Sequence, residues 1–205
     1  MKWPPGRITN IGIPQWKLGV FVRIIGGALR GKKLYSIKGL AIRPTTDYVR
    51  ESVFNILGRG VKDAVVLDLF AGAGTLGIEA LSRGAETAVF VDKAPQAIKT
   101  LARNICACCL DGRSTILRRN ILHGLRFLKS IEHPFGLVFI DPPYDKGFVE
   151  RTMQLLDRAE STSDRVSIVV EHSRHEVLPE EVARFLLCDQ RDYGKTLVSF
   201  YRAVL

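Results

Sequence analysis

The stretch VVLDLFAGAGTLG, Val65 to Gly77, begins as an unbroken apolar run, turns at an acid and closes on three glycines. Val and Leu without polar alternation describe a strand covered on both faces, as a parallel sheet requires. Gly72, Gly74 and Gly77 fit the pattern G-x-G-x-x-G, in which absent side chains permit a tight turn and close approach of a ligand. Outward from this unit, strands and helices alternate. Strands are predicted at 65–69, 87–92, 114–118, 136–140 and 166–171, with helical patterns at about 75–83, 95–109, 121–130 and 148–159. A short helix is expected near 179–184. The runs RFLLCDQ and TLVSFYRAV, separated by RDYGK, then read as an antiparallel hairpin. The pattern predicts an α/β fold of seven strands, five of them parallel, with helices on both faces.

Upstream of this core, VRIIGGALRGKKLYS places Gly26-Gly27 between two β-prone runs, a hairpin signal that carries Arg30, Lys32 and Lys33. RPTTDYVRESVFNILG predicts a helix capped by Thr45 or Thr46, with Val49, Val53, Phe54 and Leu57 as its apolar stripe. The expected organisation is therefore a poorly ordered basic extension at 1–20, a basic β-hairpin appendage at 21–46 and the main domain at 47–205. The net charge of +9 is not spread evenly. Residues 1–46 hold nine Lys or Arg and no acid, whereas the remainder holds 21 of each sign. A localised basic arm is the footprint of a polyanion binder, against the plainer reading of a solvated surface. No apolar run reaches membrane-spanning length and Arg23 interrupts the only leader-like stretch, so a cytoplasmic chain is expected, as a monomer. Cys106, Cys108, Cys109 and Cys188 match neither a disulfide framework nor metal-ligand spacing and read as buried thiols.

Open α/β sheets bind ligands at the carboxyl ends of their strands. Asp92 closes the second predicted strand, about twenty residues beyond the glycines, where a carboxylate can accept both hydroxyls of a ribose. Asp68 stands four residues before Gly72, giving D-x-x-x-G-x-G. This spacing resembles the S-adenosyl-L-methionine loop of class I methyltransferases, a Rossmann-like fold, rather than a nicotinamide site. The resemblance implies that Asp68 organises the loop and the ammonium of the cofactor, that Asp92 holds the ribose, and that Asn120 and Ile121 flank the adenine.

The fourth predicted strand ends in Asp141-Pro142-Pro143-Tyr144, which is similar to the (D/N/S)-P-P-(Y/F) motif of methyltransferases acting on amino groups of planar substrates. An exocyclic amine on a base is a poor nucleophile because its lone pair is delocalised into the ring. Two acceptors, the Asp141 carboxylate and the Pro142 carbonyl, can engage its two hydrogens and turn it toward a methyl donor. Prolines present those oxygens rigidly, and Tyr144 offers a flat face to an extruded base. No metal is needed. EHSRHE, with His172 and His175, fits no common zinc spacing and reads as a solvated strand-end loop.

In order, RIIGGALRGKKL, RPTTDYVRESVFNIL, VLDLFAGAGTLGIEALSRGA and FIDPPY resemble the RsmD family, bacterial 16S rRNA guanine-N2 methyltransferases, over residues 22–205. The resemblance implies methylation of one guanine in the small ribosomal subunit or an assembly intermediate, with Arg43, Thr45 and Arg50 near the substrate cleft. Two alternatives stand beside it. One is adenine-N6 methylation of DNA, for which the chain offers no separate target-recognition segment. The other is a non-catalytic RNA-binding assembly factor.

Overall fold

The computed structural model describes residues 22–37 and 47–204. The expectations for 1–20, for Arg43 and for the Thr45 or Thr46 cap fall outside these residues. Two short strands, β1 (Val22–Arg23) and β2 (Lys33–Leu34), pair antiparallel, and α1 (Asp47–Leu57) follows. The core then alternates β3 (Val65–Leu69), α2 (Thr75–Ser82), β4 (Thr87–Asp92), α3 (Pro95–Ala107), β5 (Ser114–Arg118), β6 (Phe135–Ile140), α4 (Phe148–Ala159) and β7 (Thr162–Ser173). Strands β8 (Glu181–Val182), β9 (Phe185–Asp192) and β10 (Thr196–Ala203) complete a sheet of order β5-β4-β3-β6-β7-β10-β9-β8. The first five are parallel and the last three antiparallel. The strand order reverses between β3 and β6, where Leu69 lies opposite Ile140.

Both faces of this sheet are covered, which explains the unbroken apolar strands. Ile78, Leu81, Phe90, Leu101, Phe54 and Phe139 pack on one side with α1, α2 and α3, and Ile24 and Leu34 of the N-terminal hairpin join the same core. On the other side α4 buries Val149, Met153, Leu156 and Ala159, an i, i+4, i+7, i+10 stripe, against Leu67, Val138 and Ile168.

Three local readings are corrected. Residues 121–130 form two 3₁₀ turns, Ile121–His123 and Arg126–Ser130, split at Gly124. The Asn120 carbonyl caps the first by accepting from the Leu122 N–H at 3.2 Å. The helix expected near 179–184 is instead β8, because pairing with β9 at the sheet edge satisfies more backbone groups than one isolated helical turn could. Gly26-Gly27 lie in the connection between β1 and β2, as expected, with the Gly27 carbonyl accepting from the Arg30 N–H at 3.2 Å, and they also dock the hairpin on the end of α2. A Cβ on Gly27 would lie 1.9 Å from the Ser82 carbonyl oxygen. The Ile25 and Gly26 N–H groups donate to the buried Glu79 carboxylate at 2.8 Å each. Of the four cysteines only Cys108 is buried. Neighbouring positions at a helix end point about 100° apart, so a run of thiols there cannot all face the core.

Candidate active site

A cleft of about 600 Å³ opens at the carboxyl ends of β3, β4, β5 and β6, within the range usual for ligand sites. Asp68 does not line it. The side chain is 2% exposed, sits behind the glycine turn, and accepts from the Gly77 N–H at 2.9 Å in the first turn of α2. Burial pushes its carboxyl up to about 7, with the negative charge of Asp92 adding and the Gly77 N–H opposing. Asp68 thus fixes the loop from beneath. Gly77 has no room for a side chain, since its Cβ would meet Phe90 at 2.3 Å. Gly74 starts α2 and Gly72 lines the cleft.

Asp92 is clamped on the cleft floor. One carboxylate oxygen accepts from the Gly72 N–H at 2.9 Å, tying the loop to β4, and the other from the Ala94 N–H at 2.8 Å. Each oxygen retains a lone pair for a ligand. Asn120 and Ile121 line the same cleft. The Asn120 side-chain carbonyl accepts from the Leu122 N–H and keeps a second lone pair, and its amide nitrogen contacts the His123 ring at 3.1 Å.

Opposite the loop stands the turn after β6. Asp141, Pro142, Pro143 and Tyr144 all line the cleft. Burial raises the Asp141 carboxyl well above its ordinary value, and the negative charges of Glu171 and Asp68 raise it further. The Tyr144 hydroxyl donates to Glu171 Oε1 at 2.7 Å and lies 3.1 Å from the Thr196 hydroxyl. Burial and the Glu171 charge hold this phenol protonated, so it stays the donor.

The basic residues separate. Arg50 lines the cleft as a buried bracket, its Nη2 donating to the Arg23 carbonyl at 2.8 Å and to Asp47 at 2.9 Å. Burial lowers its guanidinium from the ordinary value while Glu79 and Asp47 oppose that shift. Arg30, Lys32 and Lys33 do not line the cleft, although Val22 at the base of the same hairpin and Ser36 and Ile37 just beyond it do; the hairpin tip docks at the C-terminal end of α2.

Three cleft residues escaped the sequence reading. Glu171 lies within the buried run that closes β7, 168–173, its charge acting on Asp141, and with His172 it is buried rather than solvated. The predicted strand 166–171 ends on Glu171, so the strand-end rule that selected Asp92 and Asp141 also selects it, but the polar HSRH that follows drew it into a loop reading. His172 is a core residue: its Nε2 meets the Ser199 hydroxyl at 2.8 Å, and burial lowers its pKa. Phe70 and Phe148 face each other with parallel rings, centroids 6.4 Å apart, and Phe70 adopts φ +62°, a strained value for a bulky residue.

A family model described as "Conserved hypothetical protein 95" matches residues 22–202. The ribosomal RNA small subunit methyltransferase D of Escherichia coli is 36% identical over 181 residues, 88% of this chain and 89% of that protein. The chain belongs to the RsmD family. YlbH of Bacillus subtilis is 37% identical over 88% of this chain and 98% of its own length. The solved structure of Escherichia coli yhhF superposes with a TM-score of 0.79 at 36% identity, covering 89% of this chain and 98% of that one. An RsmD-family chain with the sheet of its solved relative thus carries the loop, Asp92 and the DPPY turn around one cleft.

Proposed function

We propose that this chain transfers a methyl group from S-adenosyl-L-methionine to the exocyclic N2 amine of a guanine in 16S rRNA of the small ribosomal subunit. The observation that carries this is the meeting of Asp92, on its clamped loop, and Asp141, on its proline turn, in one cleft. The residues present fit the cofactor. Asp92 supplies oriented acceptors for ribose hydroxyls, Ile121 and Phe70 supply apolar walls, and Gly72 lets the backbone come close. The cofactor, when bound, supplies a methyl group on a positively charged sulfonium, so positioning and electrostatics suffice for in-line transfer.

The protein's own part is orientation and proton uptake. Asp141 accepts one N2 hydrogen, and the Pro142 carbonyl is assigned the other. Asp141, raised in pKa, is a stronger base than an ordinary carboxylate once ionised, and a neighbouring cation favours that ionisation. It takes the proton that the methylated nitrogen sheds. Tyr144, held by Glu171, presents a ring of fixed orientation to the base.

The test uses radiolabelled S-adenosyl-L-methionine with small subunits lacking the modification, naked 16S rRNA and DNA. Label on guanine N2 of the ribosomal substrate supports the proposal. Label on adenine of DNA overturns the substrate, and absence of transfer to all three overturns the enzyme.

A further inference from the structure

The counts of charge along the chain conceal a second basic surface. Residues 47–205 carry equal numbers of acids and bases, yet the fold sorts them. Arg119 and Asn120 line the cleft and also a neighbouring groove of about 630 Å³, which Arg126 and Arg158 share. Arg158 and Leu155 in turn link that groove to a third concavity containing Arg151. The three depressions form one continuous path from the catalytic cleft across the 3₁₀ turns onto α4. Among the described residues, Arg119, Arg126, Arg151 and Arg158 form no ion pair. Beyond the cleft itself, Glu150 lines the third concavity and accepts from Gln154, while Asp157 and Glu160 are paired with Arg184 and Lys129.

We propose that the phosphate backbone of the substrate RNA follows this path, leaving the cleft over Arg119 and Arg126 and continuing across Arg158 to Arg151. The inference rests on the proposed function and adds the surface on which the substrate lies. Four guanidinium groups without carboxylate partners, continuous with the cleft, match a polyanion whose charges repeat along a line. The N-terminal hairpin reaches the cleft through Val22, Ser36 and Ile37, none of them basic. Its Gly26–Leu29 segment docks instead at Ser82, a full helix of roughly 12 Å for eight residues from the cleft end of α2.

The measurement is kcat/KM for methyl transfer to small subunits lacking the modification, across a KCl series at fixed magnesium, with cofactor affinity by calorimetry. The variants are Arg126→Ala/Arg158→Ala and, for comparison, Arg30→Ala/Lys32→Ala. Neither Arg126 nor Arg158 makes a side-chain hydrogen bond or ion pair among the described residues, so their loss leaves the fold intact. The first variant should bind cofactor normally, lose activity at low salt and show a slope flatter by about 1.4, from about 0.7 per lost single-strand phosphate contact. An unchanged slope overturns the proposal while leaving the methyltransferase assignment standing. So does weakened cofactor affinity, or a larger effect from the hairpin variant. A parent enzyme that transfers no methyl group to the particle overturns the proposed function, and this inference with it.

Discussion

Tyr144→Phe isolates the bond that the structure adds to the motif. The ring, and with it any stacking on a base, is kept, and only the hydroxyl is lost, with its 2.7 Å bond to Glu171 and its 3.1 Å contact to Thr196. A hydrogen bond to a charged group contributes about 1.5–3 kcal/mol net. Glu171 is 8% exposed and sits beside a second carboxylate, so water cannot easily replace the phenol. The substitution should therefore lower unfolding stability by about 1.5–3 kcal/mol. It should also reduce kcat, because the ring loses its tether, while cofactor affinity stays at the parent value. Urea unfolding of Tyr144→Phe, Glu171→Gln and the double variant gives the pairwise coupling directly. A coupling above about 1 kcal/mol is expected for contacting groups. Additive effects within about 0.3 kcal/mol, together with parental kcat in Tyr144→Phe, would refute the tether and leave Tyr144 as a stacking surface only.

Asp92→Asn should weaken S-adenosyl-L-methionine binding about tenfold to hundredfold, the equivalent of roughly 1.5–3 kcal/mol for charge-assisted acceptors; calorimetry showing parental affinity would remove Asp92 from the ribose. Asp141→Ala should keep cofactor affinity yet abolish most single-turnover transfer, and parental chemistry in that assay would remove Asp141 from proton uptake. Glu171→Gln removes a charge that raises the Asp141 carboxyl, so the rising limb of the pH–rate profile should move to lower pH; an upward shift would contradict the pairing. Asp68 has a folded-state pKa of about 7 against 3.8 for an ordinary carboxyl, so its contribution to stability is complete below about 4 and is lost as the pH rises to about 7. Asp68→Asn keeps an acceptor for Gly77 and should be more stable than the parent at pH 8, by an amount on the order of 4 kcal/mol at most; identical pH–stability curves for the two proteins would overturn this.

The α/β alternation, the glycine loop and the DPPY turn were legible because each is written in contiguous residues. Buried parallel strands need unbroken apolar runs, and a strand-end acid next to glycines announces a ligand turn. The same locality explains what was hidden. Whether Glu79 receives two backbone N–H groups from the N-terminal hairpin, or Glu171 a phenol from another strand's end, depends on contacts between residues 54 and 27 positions apart. No periodicity encodes such pairs. The charge counts were silent on a second basic surface for the same reason. They located the excess in residues 1–46, but electrostatics acts through space, and tertiary folding gathers Arg119, Arg126, Arg151 and Arg158 from separate elements while pairing the nearby acids elsewhere. The sequence by itself determined which strands form and where they end; only the packed sheet decided which strand ends share a cleft and which charges face the same way.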